Sequence, residues 1–336
     1  MLKTIATFIF SGLFLSLGYF VFNFFKVVDK PRLYGFNRKA VPYGFGFVLI
    51  LLFILLSLLY NPISQQLLVL LVSVLVLSIT SFIDDRKSLH PIVRLCIQTL
   101  CAFLVVKNGI SVLEVSNPFA NENLLLGDFS ILLSVFWILL LTNLMNFLDG
   151  VSGLTSGVSS VGFFILFILS LNANIHLIDQ SLLSSLSLIA GVLSLTGFLL
   201  ELPLPNPKVL LGDSGSMSLG FLLASLSMLN GGKLATLGLV LLIPLFDGVF
   251  VILYRLMKGN SPLVGDNNHL HHKLLERGFS RLQIIFLYLF ATIIFGLLAI
   301  FAWNTYLKFI TFIFISTVFA VFFYLTWSVN GYQRRN

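Results

Sequence analysis

Residues 65–87 read QQLLVLLVSVLVLSITSFIDDRK. Positions 65–83 carry no charge and are mostly apolar, and four charged residues follow at once, Asp84, Asp85, Arg86 and Lys87. An uncharged apolar run of about 20 residues is long enough to cross the hydrocarbon core of a bilayer as a helix. The stretch therefore predicts a membrane-spanning helix that carries polar groups at one end.

The same pattern recurs along the whole chain of 336 residues, which is 58% hydrophobic and only 10% charged, with a mean hydropathy of +1.02. Soluble globular proteins carry about 25% charged residues. We therefore predict an all-α, polytopic integral membrane protein that forms one domain, 1–336, without a large soluble part. About eleven transmembrane helices are predicted, near 4–25, 44–60, 65–83, 92–107, 129–148, 155–173, 182–200, 216–230, 234–254, 282–302 and 306–328.

Most of the 20 Lys and Arg residues fall in alternate loops. Because basic residues concentrate on the cytoplasmic side of membrane proteins, this pattern predicts an N-terminus outside and a C-terminus in the cytoplasm. It also explains the net charge of +7 by the membrane rather than by a nucleic-acid partner. Polar residues gather in the predicted cytoplasmic loops, near 26–43, 84–91, 146–154, 201–216 and 255–281. Cys96 and Cys101 lie in one apolar segment and are interpreted as ordinary helix residues.

Asp84 and Asp85 are adjacent carboxylates at a predicted membrane edge. Such a pair can bind Mg²⁺ or act as a base. The alternative is a solvated helix end that Arg86 and Lys87 neutralise.

Asn143, Asn146 and Asp149 recur every three residues and so share one helical face. Oxygen-bearing side chains on a common face favour a ligand-binding patch, and the following Gly150 allows close approach of a ligand. They can also be capping and turn residues between two spans.

Asp213 and Ser214 stand between glycines where a predicted span begins, in the sequence Gly212-Asp213-Ser214-Gly215. Exposed N–H groups at a helix start attract phosphate, and an acid there can carry Mg²⁺. Either side chain could instead serve only as an N-cap.

The longest predicted inside loop contains Asp266-Asn-Asn-His269-Leu-His271-His272. Three histidines in a basic loop favour pyrophosphate binding; a zinc site or neither role stays open. Asp247 lies within a predicted span, so it must face the protein interior or a wet cavity, or pair with Arg255. His176 and Glu201 are interpreted as ordinary loop residues.

In this order, the motifs resemble those of the polyprenyl-phosphate N-acetylhexosamine-1-phosphate transferases, glycosyltransferase family 4. The marks are Asp84-Asp85 followed by Arg94, then Asn143, Asn146 and Asp149-Gly150, then Gly212-Asp213-Ser214-Gly215-Ser216, and His269-Leu-His271-His272. The histidine motif resembles the branch that begins O-antigen and related surface polymers. The resemblance implies a bacterial inner-membrane enzyme with a cytoplasmic site, which moves HexNAc-1-phosphate from a UDP-N-acetylhexosamine to undecaprenyl phosphate and releases UMP. It leaves homodimer formation open.

The resemblance also implies roles for single residues. Mg²⁺, or Mn²⁺ in its place, is expected on Asp213 together with Asn146. Asp84 and Asp85 are expected near the lipid phosphate, one of them as a base or positioning group. Arg94 stands where the family has a phosphate-contacting Lys. The donor is expected to contact Asn143, Asn146, Asp149, Ser152, His269, His271 and His272.

The sequence departs from the family pattern at Ser152, where the family usually has a second acid associated with uracil recognition, and at Asn267, where an Arg is common. The loop after Lys30 also lacks the family's usual His and paired glycines. These departures keep a catalytically inactive relative in view. A membrane transporter is another alternative. A CDP-alcohol phosphatidyltransferase would need further spaced acids after Asp149-Gly150 that the chain lacks.

Overall fold

The computed structural model describes residues 2–29, 40–117, 119, 123–171, 180–203, 206–229, 234–257, 259, 269–301 and 306–318. The predictions that concern His176, Asn267 and most of the 26–43 loop lie outside these residues. The helices are α1 (Leu2–Phe24), α2 (Gly46–Tyr60), α3 (Gln65–Asp84), α4 (Pro91–Lys107), α5 (Phe129–Leu148), α6 (Leu154–Ser170), α7 (Gln180–Glu201), α8 (Asp213–Met228), α9 (Leu234–Val240), α10 (Leu242–Met257), α11 (Leu270–Glu276), α12 (Arg281–Phe301) and α13 (Tyr306–Val318).

The described part of the chain is mostly helical, as the hydropathy predicts. Helices α3, α5, α7 and α12 are long and apolar enough to cross a membrane, and α9 with α10 makes a fifth candidate if the bent pair counts as one span. Four shorter apolar helices, α1 from Ile9 onward, α2, α6 and α13, accompany them. The described part of the chain thus contains four or five helical segments that are candidates to cross a membrane.

The span predicted at 234–254 is not one continuous helix in the structure, because α9 and α10 meet at 84°. Pro244 lies in the first turn of α10 and has no N–H to donate to the carbonyl of Val240, where α9 ends. A proline also crowds the preceding turn, and both effects favour a kink. Average hydropathy does not detect such a break, because the residues on both sides of it are apolar.

The all-α prediction also needs one small correction between α4 and α5. Strands β1 (Glu114–Ser116) and β2 (Asn123–Leu125) pair antiparallel, with Val115 opposite Leu124. The pairing satisfies the backbone groups of a connection that returns on itself. The Asn123 amide also donates to the Glu114 carboxylate at 2.8 Å.

Helix α8 lies at the centre of the fold, with every residue from Ser214 to Met228 buried. It contacts α2, α3, α5 and α6. Small residues allow this closeness: a Cβ at Gly220 would lie 2.4 Å from the Leu141 carbonyl oxygen, and one at Gly46 only 2.0 Å from Gly215 Cα. The packing fixes Asp213, the first residue of α8, beside the ends of α3 and α5.

Candidate functional site

A polar cavity of about 620 Å³ lies where the ends of α5, α7, α8, α11 and α12 meet. Three of the predicted cytoplasmic loops contribute to its wall, and Tyr43 adds the end of a fourth. The lining residues are Tyr43, Asn146, Phe147, Asp149, Gly150, Val151, Ser152, Glu201, Pro207, Leu210, Leu211, Gly212, Asp213, His269, His272, Leu275 and Arg281.

The start of α8 binds a carboxylate of the protein itself. The N–H of Asp213 donates to Asp85 Oδ1 at 3.0 Å, and the N–H of Ser214 donates to Asp85 Oδ2 at 3.3 Å. Gly212 has φ +73°, and a Cβ there would lie 2.8 Å from Asp85 Oδ2, so glycine permits the approach. The predicted anion-binding helix start therefore exists, but Asp85 occupies these two N–H groups.

Two opposing effects act on the pKa of the Asp85 carboxyl. Burial raises this pKa above the ordinary value, while hydrogen bonds from Asp213, Ser214 and the Tyr43 side chain act in the opposite direction. These bonds stabilise the ionised form and hold the carboxylate in one orientation. Asp85 thus has a positioning task, and its predicted part in catalysis remains a hypothesis.

Arg94 links two of the predicted catalytic acids. Its Nη1 lies 2.7 Å from Asp84 Oδ2 and 3.5 Å from Asp213 Oδ2. Asp84 also accepts the N–H of Leu89 at 2.6 Å, and its side chain is only 6% exposed. The Asp213 side chain is 27% exposed. Asp213 is therefore the more accessible of these two acids and the one that faces the cavity.

The predicted Asn143–Asn146–Asp149 face divides in the structure. Asn146 and Asp149 line the cavity, and Asn146 is hydrogen-bonded to Asp213 and accepts from Ser216 Oγ at 3.0 Å. Asn143 is outside the cavity lining, and its amide donates to Gln98 Oε1 at 2.9 Å. Asn143 thus joins α5 to α4, and the structure does not bring it to the cavity.

Asp149 sits directly after α5, in a wall crowded with acids. Burial raises its pKa well above the ordinary value, and the negative charges of Glu201, Asp213 and Asp85 raise it further. Excess negative charge in one cavity favours binding of a cation there.

The donor atoms fit a hard divalent cation. The Asp213 carboxylate and the Asn146 amide oxygen are of the type that Mg²⁺ prefers. Among the described residues, no group of three or more His, Cys, Asp or Glu side chains could hold a metal ion. Because Mg²⁺ commonly takes one or two carboxylates and completes its shell with waters and substrate phosphates, a two-residue set is sufficient.

Asp247 anchors the histidine segment. His269 Nδ1 lies 3.1 Å from Asp247 Oδ2, and the N–H of Leu270 donates to Asp247 Oδ1 at 2.7 Å. Asp247 is only 3% exposed, as its place in an apolar segment predicts. Arg255, the partner considered from sequence, lies over the ring of Phe147 at 5.9 Å. Asp247 thereby fixes the first turn of α11 at the cavity.

The three histidines have different surroundings. His269 and His272 line the cavity, whereas His271 is fully buried and packs on Gly150. Neither ring nitrogen of His271 has a hydrogen-bond partner among the described residues. Burial lowers the pKa of His271 far below the ordinary value and also lowers the pKa of His272. The zinc alternative finds no metal-binding group in the described part of the chain.

The interpretation of Glu201 as an ordinary loop residue is wrong. It is the last residue of α7, is 1% exposed, and accepts from Ser156 Oγ at 2.5 Å and from the Leu211 N–H at 3.1 Å. Arg281, at the start of α12, donates to the carbonyls of Ser152 and Glu201. A single acid that ends an apolar run without a basic neighbour was the available signal for burial. Arg281 and Tyr43 carried no comparable signal.

The chain is similar to proteins of one known family over most of its length. The profile described as Glycosyl transferase family 4 matches residues 67–231. A Bacillus subtilis protein named probable undecaprenyl-phosphate N-acetylglucosaminyl 1-phosphate transferase is 30% identical over 272 residues, covering 78% of this chain and 74% of that protein. A Pasteurella multocida protein named undecaprenyl-phosphate alpha-N-acetylglucosaminyl 1-phosphate transferase is 30% identical and covers 100% and 96%. A Salmonella typhi protein of the same name is 29% identical and covers 88% and 82%. With relatives this similar over most of both chains, the protein belongs to glycosyl transferase family 4.

Proposed function

We propose that the protein transfers HexNAc-1-phosphate from a UDP-N-acetylhexosamine to undecaprenyl phosphate and releases UMP. This step would begin a lipid-linked glycan of the O-antigen, cell-wall or capsule type. The observation that carries the proposal is the gathering of Asp213, Asn146 and Asp149 on one polar cavity among apolar helices. The names of the relatives describe the same reaction class. The cavity volume of about 620 Å³ lies in the usual range for small-molecule sites.

The chemistry is displacement at phosphorus. A phosphate oxygen of the lipid forms a bond to the β-phosphorus of the donor, and the bond to the bridging oxygen breaks, so UMP leaves. A lipid phosphate is already ionised near neutral pH, so the reaction needs positioning and charge stabilisation more than a strong base. Arg94, held between Asp84 and Asp213, is placed to attract the phosphates. His269 and His272 line the same cavity and would contact the diphosphate or the sugar.

Asp213 and Asn146 would hold Mg²⁺, or Mn²⁺ in its place. The ion would supply neutralisation of the donor diphosphate. The chain's own contribution is orientation: Asp85 fixes the backbone at Asp213, and Ser216 fixes the Asn146 amide.

The proposed setting is the bacterial inner membrane, with about eleven spans and the cavity facing the cytoplasm. The positions of the basic residues support this orientation, with the N-terminus outside and the C-terminus inside. Cysteines introduced singly into the predicted loops would report the orientation through labelling by an impermeant maleimide.

The test is purified protein in detergent with Mg²⁺, undecaprenyl phosphate and each of several UDP-N-acetylhexosamines. We expect UMP release with one donor and formation of a sugar diphospholipid, both lost in Asp213→Ala. UMP release with none of the donors would favour the inactive relative. An Asp213→Ala variant with full turnover would contradict the proposed site. A transporter would instead move donor into proteoliposomes without UMP release.

A further inference from the structure

Glu201 is a buried carboxylate at the cavity wall without a role in the proposed transfer. A buried acid is costly unless hydrogen bonds compensate for the water it loses. Ser156 and Leu211 provide such bonds, one to each carboxylate oxygen. The first donor lies on α6 and the second lies two residues before Asp213. Glu201 therefore ties α6 to the segment that leads into α8.

Arg281 binds the backbone at Glu201 and at Ser152. Its Nε donates to the Ser152 carbonyl at 3.0 Å, and its Nη2 donates to the Glu201 carbonyl. Arg281 thus holds the loop after α5 and the end of α7 together through two backbone carbonyls.

Backbone groups of Pro42 and Gly46 also hold the segment before Asp213. The carbonyl of Leu211 accepts the Gly46 N–H at 2.9 Å, and the N–H of Leu210 donates to the Pro42 carbonyl at 2.8 Å. Because Leu211 donates to Glu201 and accepts from Gly46, its peptide groups are fixed on both sides. A change at Glu201 would therefore reach the cavity wall at Leu211 and Gly212 directly.

We propose that Glu201 is a positioning residue for the UDP-sugar, and that its carboxylate sets the cavity wall by holding Leu211. The inference rests on the proposed function. The proposed role is indirect, because Ser156 and Leu211 each engage one carboxylate oxygen of Glu201. Leu211 lines the polar cavity, so donor binding depends on Glu201. Asp84, which is expected near the lipid phosphate, is held by Arg94 and the Leu89 N–H instead.

The experiment compares Glu201→Leu, Glu201→Gln and wild type, all as full chain in detergent with Mg²⁺. The dissociation constant of UDP-GlcNAc is measured by isothermal titration calorimetry, and KM is measured for both substrates. Glu201→Leu leaves the buried Leu211 N–H without its acceptor, so we expect donor binding about tenfold weaker. Glu201→Gln keeps an acceptor oxygen and should stay within about threefold of wild type. KM for undecaprenyl phosphate should not change.

Ser194→Ala is the matched control, because it removes another buried polar group from α7. We expect it to bind UDP-GlcNAc as wild type does. An unchanged dissociation constant in Glu201→Leu, equal losses in both Glu201 variants, or an equal rise of both KM values would overturn the inference.

Two further readouts keep the test decisive. If Glu201→Leu does not fold, Ser156→Ala removes one donor to the same carboxylate, and an unchanged dissociation constant there overturns the inference. Wild type that neither binds UDP-GlcNAc nor releases UMP would count against the proposed function instead, because that failure is independent of the variants.

Discussion

The carboxylate of Asp85 accepts the backbone N–H of Asp213 at 3.0 Å and so joins the end of α3 to the first turn of α8. The two residues lie 128 positions apart in the chain. An anion at a helix N-terminus satisfies N–H groups that have no partner within the helix and interacts favourably with the helix dipole. In this protein the same contact also fixes the residue proposed to bind the metal ion.

Asp85→Ala should therefore lower both stability and activity. Loss of an N-terminal cap costs about 1 kcal/mol of the free energy of unfolding, and Asp213 would lose its fixed position. Asp85→Asn keeps one acceptor oxygen and should retain more of both. Thermal unfolding in detergent and UMP release measure the two effects, and Lys87→Ala, an exposed neighbour, serves as the control. Two Asp85 variants that are equally inactive yet unfold as wild type does would instead indicate a direct chemical role.

The cavity residues that lie at the ends of apolar segments were predictable from the sequence. Asp213, Asn146 and Asp149 are polar where polarity is costly, and the structure brings them to one cavity. Asn143 shares the helical face of Asn146 and Asp149 but lies farther from the end of α5, where its amide donates to Gln98. Periodicity therefore gives the face of a helix, and only the packing of α4 on α5 decides which residue along that face reaches the cavity.

Partners that are distant along the chain were not predictable in the same way. The hydrogen-bond partners of Glu201 lie 45 and 10 positions away, at Ser156 and Leu211. A single acid that ends an apolar run indicates burial, but the pattern does not tell which distant donors satisfy the acid. The bend between α9 and α10 was visible at Pro244, but average hydropathy does not distinguish a straight span from a broken one.

Asp247→Ala should detach the histidine segment from the cavity wall. The N–H of Leu270 and the ring of His269 would lose a shared buried acceptor, at a cost of about 1–3 kcal/mol. We expect a lower unfolding temperature and weaker binding of UDP-GlcNAc, both measured in detergent. Asp128→Ala removes an exposed acid that makes no capping bond to α5 and should change neither quantity. Unchanged donor binding in Asp247→Ala would show that the histidine segment does not contact the donor.

Gly220→Ala should destabilise the centre of the fold. The new Cβ would lie 2.4 Å from the Leu141 carbonyl oxygen, so α8 and α5 would have to separate. Overpacking of this kind costs about 1–3 kcal/mol. Gly238→Ala is the matched control, since a Cβ there meets nothing within 4 Å among the described residues. The unfolding temperatures of the two variants should differ clearly, and equal values would contradict the close α5–α8 contact.

Removal of divalent cations should abolish turnover if Asp213 and Asn146 hold Mg²⁺. Protein treated with EDTA should release no UMP, and added Mg²⁺ or Mn²⁺ should restore the release. Asp213→Asn removes the charged ligand and should raise the Mg²⁺ concentration for half-maximal activity by at least about tenfold, because even residues that only orient metal ligands have effects of that size. Asp128→Asn, which alters an exposed acid, should leave the requirement unchanged. Turnover that survives EDTA would contradict the metal role, and an unaltered Mg²⁺ requirement in Asp213→Asn would move the ion to other acids of the cavity.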